Sequence, residues 1–244
     1  MKTQELKRQY NQGRMNFRQI DLSGQSLVWS NLIKIDLSES NLKQAKLSAA
    51  ILKKSTLKNA NLQGANLRAA DLTHADLSGA NLQGADLARA DLINTNLSGA
   101  DLSGANLTEA ILRQVNFCNA NLTQTNLEGL DLTQANLSGA DLRGANLTGT
   151  KLQEANLQGA NLSGLDLSEL NLNGADLRGA NLSHAQLNQT KLYGANLSHA
   201  TLKKVELDDT KLVGAELSYT PLNTADFDAG SSKTQEACTV PQLA

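Results

Sequence analysis

The sequence predicts an all-β repeat rod, and three features of its 244 residues carry that prediction. A period of five runs without insertion from Met15 to Ala229, and the central residue of its 43 pentapeptides is Leu in 40 and Phe in 3. Two residues before the centre stands a second inward column, Ala in 25 of the 43 repeats. Two residues after the centre, 16 of the 18 glycines gather at one position, in the pattern Leu-x-Gly-Ala. Five matches neither the 3.6 of a helix nor the 2.0 of a strand. The backbone must therefore turn once per repeat to keep both apolar columns on one side.

Residues 1–14 precede the repeat. Thr3 is placed to cap a short helix whose Leu6 and Tyr10, four residues apart, face the first rung beside Met15 and Phe17. Such a helix covers an open end that would otherwise present unpaired backbone groups. It also accounts for Val28 and Trp29, which it would cover. Residues 15–229 form the rod. Each repeat reads as a short extended piece with inward Ala and Leu, then a corner where Gly takes the third place of a four-residue turn and supplies the positive φ of type II geometry. Asn or Asp stands just before the central residue in 30 of 43 repeats, where a short polar side chain satisfies nearby backbone or stacks with its own kind. Pro221 suits a last coil with no neighbour above it. The polar tail, 230–244, is expected to be disordered.

Composition excludes several functions. Lys+Arg 22 against Asp+Glu 24 points to no partner by net charge alone, and aromatics at 3% are too few for an aromatic-anchored core. The chain has no run of 18 apolar residues and no apolar stretch at Met1–Leu6, so the expected location is cytoplasmic, without membrane contact. Cys118, expected at the surface, and Cys238 form neither a disulfide framework nor a zinc site. His74, His184 and His199 all take the corner position. No GxSxG elbow is present, and the glycines serve corners in place of a phosphate loop. A core filled with Leu leaves no pocket, so no enzyme, metal or cofactor is expected.

Repeats such as Ala75-Asp76-Leu77-Ser78-Gly79 and Ala80-Asn81-Leu82-Gln83-Gly84 resemble the A(D/N)LxG motif of the pentapeptide-repeat family, over residues 15–229. The stretch Glu5 to Tyr10 followed by Asn16-Phe17 is similar to capping segments of cytoplasmic members, a family numerous in cyanobacteria. The resemblance implies a right-handed quadrilateral parallel β-helix with four repeats per coil, hence ten to eleven coils. Residues twenty apart then stack in one column.

With a uniform interior, specific function must be written on outward positions. Residues 1–70 carry net +8 and residues 71–244 net −10. Lys34, Lys43, Lys46, Lys53, Lys54, Lys58 and Arg68 form a basic collar round the early coils. They are spread about the rod and not aligned as a nucleic-acid stripe, so direct nucleic-acid binding is not expected. Glu206, Asp208, Asp209, Asp226 and Asp228 crowd one face of the last coils, an acidic patch able to imitate phosphate or attract a hard cation. Ile33, Ile51, Ile93, Ile111, Tyr193 and Val213 fall on the face centred on Leu32, Leu52 and Leu72, which marks a candidate partner surface. The leading reading is a non-enzymatic scaffold or interaction rod that docks an unidentified protein or a second copy of itself. The alternative, implied by likeness to gyrase-protecting family members, is a DNA mimic that binds a type II topoisomerase. The basic first third and the short polar tail depart from that pattern.

Overall fold

The computed structural model describes residues 1–207 and 212–221, and the 230–244 tail lies outside that range. From Asn16 to Glu216 the chain is a stack of parallel β-bridges, each joining residues twenty apart, as in Asn16↔Asp36, Asn96↔Asn116 and Asn196↔Glu216. Four pentapeptides therefore complete one turn of the solenoid. Each repeat contributes one bridging residue, directly before its central Leu, in place of the extended strand the sequence predicts. The corners come too soon for anything longer.

The core is the two inward columns. Phe17, Leu22, Leu27, Leu32 and Leu37 are fully buried, as are Ala50, Ala70 and Ala90 behind them. Burial of a Leu side chain is worth about 2 kcal/mol, and the stack repeats it at every rung. Buried threonines in the Ala column bond their hydroxyls to backbone carbonyls, Thr125 to Leu122 in its own coil and the others along the rod. Thr95, Thr150 and Thr190 each donate to the carbonyl of the central Leu one coil below, Leu72, Leu127 and Leu167, at 2.9, 2.8 and 2.9 Å.

Backbone donors are fully assigned in a typical repeat. Asn81 N–H donates to Ala60 in the coil below, Leu82 and Gly84 N–H to Asp101 and Ser103 in the coil above, and Ala80 N–H to the preceding centre, Leu77. The fifth donor, Gln83 N–H, points outward and is accepted by Asn81 Oδ1 at 3.0 Å. That acceptor recurs wherever Asn or Asp precedes the centre, as at Ser23, Ser98 and Ser163. Asn does a second job. Its Nδ2 donates to the Oδ1 one coil below, so Asn96, Asn116, Asn136 and Asn156 form a ladder based on Asp76, at 3.2, 3.0, 2.9 and 3.3 Å. Asp, which only accepts, fits at the foot of such a ladder.

All 40 described corners have φ between +53° and +70°, and 24 of them are not glycine. The ladder bonds on both sides hold residues such as Ala69 (φ 54°) in a region that costs an L-residue roughly 1–2 kcal/mol.

Helix α1, Thr3–Asn11, lies against the first coil. Leu6 is fully buried and Tyr10 packs on the core, its hydroxyl donating to the Ile33 carbonyl at 3.0 Å. The N-cap is Lys2, not Thr3, and it makes no side-chain capping bond. Thr3 is the first helical residue, and its hydroxyl donates instead to Gln25 Oε1 at 3.2 Å. Gly13 (φ 93°) ends the helix: its N–H reaches Tyr10 O and the Arg14 N–H reaches Gln9 O, a Schellman closure. Trp29 is not covered by α1. It is 79% exposed, because the helix packs across the end of the coil and leaves this corner outside.

Three outcomes test these rules. Ala69→Gly should raise stability by about 0.5–1 kcal/mol in urea unfolding, since relief of the left-handed strain outweighs the added freedom of the unfolded chain. Asn116→Asp keeps the turn acceptor for Cys118 N–H but loses the donor to Asn96, and should cost about 1 kcal/mol at neutral pH. Finally, the Arg143 and Arg178 guanidinia hold the Asp141 and Asp176 carboxyls below their usual 3.8, and the Ser168 hydroxyl and N–H do the same to Asp166. Carboxyls lowered by folding stabilise the rod fully above their unfolded value and release that stabilisation as pH falls through the folded one. The urea midpoint should be level from neutral pH to about 5 and decline below about 4.

Candidate interaction faces

Four faces run the length of the rod, named here by their first full repeats: Leu22, Leu27, Leu32 and Leu37. The bridges Asn31↔Ile51, Ile51↔Asp71, Asp71↔Asp91 and Asp91↔Ile111 put Ile33, Ile51, Ile93, Ile111, Tyr193 and Val213 on the Leu32 face. They do not form one stripe. They fall in three pairs on neighbouring coils, Ile33 with Ile51, Ile93 with Ile111 and Tyr193 with Val213, about 14 and 24 Å apart at 4.8 Å per coil. Charged residues occupy the intervals, with Lys53 Nζ 2.9 Å from Asp71 and Lys151 Nζ 3.7 Å from Asp131. Ile33, Ile51 and Ile93 are half-buried, whereas Ile111, Tyr193 and Val213 are 44%, 62% and 63% exposed. A shallow open depression of about 520 Å³ lies beside Ile93, lined also by Arg113, Asp131 and Gln134.

The basic collar is distributed over all four faces. Lys34 and Lys54 are corner residues of the Leu32 face (φ 62° and 56°), in one column with His74. Lys53 beside them is committed to Asp71, whose carboxylate raises its pKa. Lys58, on the Leu37 face, pairs with Asp76 at 3.0 Å. Lys43 stands exposed on the Leu22 face, Lys46 and Arg68 on the Leu27 face. Of the acidic patch, Glu206 is exposed and aligned with Asp166 through Gln186. Asp208, Asp209, Asp226 and Asp228 lie outside the described residues.

All three histidines sit at corners of positive φ (59°, 61° and 63°). Among the described residues no group of three His, Cys, Asp or Glu side chains is placed to hold a metal, and no helix is long and apolar enough to cross a membrane. Cys118 is half-buried and not exposed, because Ser138 in the next coil covers it, Oγ to Sγ 3.3 Å. One cluster escaped sequence reasoning: the His199 and Tyr219 rings stack at 5.0 Å and 6°. Their separation of twenty residues is the signal that would have found it.

A family model for pentapeptide repeats matches in eight copies, among them residues 16–53, 50–87, 85–124, 155–192 and 190–228. No curated protein matches the chain. Among solved structures, HetL, a pentapeptide repeat protein involved in heterocyst differentiation regulation from the cyanobacterium Nostoc sp. strain PCC 7120, is similar at 34% identity. The match covers 95% of this chain and 99% of HetL, with a TM-score of 0.47. A second Nostoc pentapeptide repeat protein, alr5209, is 35% identical over 41% of this chain and 77% of its own, with a TM-score of 0.30. QnrB1, a plasmid-mediated fluoroquinolone resistance protein, is 18% identical over 87% of this chain and 91% of its own, with a TM-score of 0.40. The repeat matches, which span most of residues 16–228, establish it as a member of the pentapeptide repeat family, whose members form right-handed quadrilateral β-helices.

Proposed function

We propose that the chain is a non-enzymatic interaction rod of the cytoplasm, a β-helix of ten to eleven coils whose first end α1 covers, and that it docks another protein along the Leu32 face. The observation that carries this reading is a departure from the repeat's own economy. Ile111 stands where most repeats place Asn or Asp. It leaves the Arg113 N–H without the side-chain acceptor its neighbours enjoy, and it exposes 44% of an apolar side chain to water. Ile51 departs in the same way. A position that breaks a local rule with no gain in packing is a candidate for function. The buried Leu stack supports the non-enzymatic part, since the interior has no room for a substrate.

A DNA mimic that binds gyrase is the second reading. It is less favoured, because residues 1–70 carry net +8.

The test restores the repeat rule while removing the proposed anchor. Ile111→Asn should raise stability by about 1 kcal/mol by supplying the missing acceptor. Combined with Tyr193→Ser, it should abolish recovery of a specific partner when tagged protein is purified from its source cell. An unchanged set of co-purifying proteins from a stable double variant would remove the Leu32 face from consideration.

A further inference from the structure

A second surface depression, of about 570 Å³, lies on the Leu37 face near the far end of the rod, lined by Arg178, Gly179, Ser198, His199, Glu216 and Tyr219 among others. It reaches from Gln158 to Ser218, three coils or about 14 Å, and its volume falls in the range of small-molecule sites. The corner column builds one wall. Tyr219 and His199 stack there, and below them the column continues as Gly179 and Gly159, where an added Cβ would meet nothing within 4 Å. At Gly79 and Gly139 of the same column that space is filled, by the side chains of Asn59 and Asn119 one coil below. The side of the His199 ring turned away from Tyr219 therefore looks down on an empty corner, with room for a third flat ring.

Unspent polar groups surround that corner. Arg178 commits Nε and Nη2 to Asp176, at 2.8 and 2.5 Å, and its Nη1 has no partner among the described residues. Ser198 is 7% exposed and its Oγ makes no hydrogen bond, whereas the equivalent hydroxyls of Ser138 and Ser163 bond the Asn Oδ1 of their own repeats at 2.8 Å. At the upper end the exposed Glu216 carboxylate accepts from the neutral Asn196 Nδ2 and Ser218 Oγ, at 3.3 and 3.2 Å. No cation pairs with it among the described residues.

We propose that this depression binds a purine nucleoside, with the base stacked beneath His199 over Gly179 and the ribose hydroxyls on Glu216. The base continues the Tyr219–His199 stack, and its edge presents acceptors to Arg178 Nη1. A carboxylate is the natural acceptor for ribose hydroxyls. The Ser198 hydroxyl, donor and acceptor at once, gains a partner in the bound state. Asp176 offsets Arg178 and Glu216 is left uncompensated, so the site repels a phosphate and selects the nucleoside over its nucleotide. One side of the site is open to water, which holds the Kd to the order of 0.1 mM or weaker.

NMR of the full chain, labelled at histidine, tests this with adenosine and guanosine as probes. Either nucleoside should shift the His199 ring resonances saturably and leave those of His74 and His184, on other faces, in place. Gly179→Asn should abolish the shift. Asn59, Asn94 and Asn119 are native corners at φ 53–55°, so the variant folds, and its side chain leans toward the next coil as those of Asn59 and Asn119 do. Gly99→Asn, in the same column four coils away, should bind as wild type. Glu216→Gln should weaken adenosine about tenfold and leave free adenine unchanged. Adenosine 5′-phosphate should bind more weakly than adenosine. His199 resonances unmoved by about 5 mM of either nucleoside, well above the expected Kd, overturn the proposal. So does a Gly179→Asn variant that binds like wild type. An equal shift with N-acetyltryptophanamide would assign the stack to an aromatic side chain of a partner, and also overturns it. The site shares no residue with the Leu32 face, so its failure leaves that face standing.

Discussion

The structure depends on where five backbone N–H groups per repeat find acceptors. Three go to neighbouring coils and one closes the corner, which leaves one donor on the outer surface of every turn. The Asn or Asp before each central Leu takes that donor, as Asn81 does for Gln83. A buried or half-buried donor left without a partner costs as much as several good contacts supply, so this satisfaction is what allows so short a repeat to exist. The interior follows from it. Once each pentapeptide closes its own corner, the Leu and Ala columns fall into register with no further instruction.

The same accounting sorts the outer surface. Positions that obey it, such as Asn96 or Asp141, are explained by the fold and imply nothing about a partner. Positions that break it are informative. Ile111 gives up an acceptor and exposes hydrocarbon, and Tyr193 stands in a repeat whose bridging residue is Lys191. There the acceptor for the Tyr193 N–H comes from Asn173, one coil below, at 3.0 Å. Directionality matters too. Asn passes a hydrogen bond down the rod while Asp can only receive one, which is why Asp76 sits at the foot of a ladder whose higher rungs are asparagine.

Much of this was legible in the sequence. The inward columns, the corner position and the double use of Asn all follow from a period of five and the chemistry of the residues in it. The candidate faces were legible as columns, because residues twenty apart stack once four repeats make a coil. Less legible were the degrees of exposure. Ile33, Ile51 and Ile93 occupy outward positions yet are half-buried, since side chains of adjacent coils lie only about 4.8 Å away and shield them. Cys118 is screened by Ser138 for the same reason.

The N-terminal segment shows the other limit. A helix with Leu6 and Tyr10 on one side can be read from spacing, but Lys2 rather than Thr3 caps it, and Trp29 stays in solvent. Both depend on the angle at which α1 meets the first coil, which is set by long-range bonds from Tyr10 to Ile33 and from Thr3 to Gln25. The sequence by itself determined the repeat, its turn and its core, because those are local: each pentapeptide satisfies its own corner. Only the tertiary structure decided which side chains meet across coils and which remain free, as with the His199–Tyr219 stack, the ion pairs that interrupt the Leu32 face and the exposed Trp29. Those contacts join residues about twenty apart, and their energies depend on rotamers and burial that no single repeat contains.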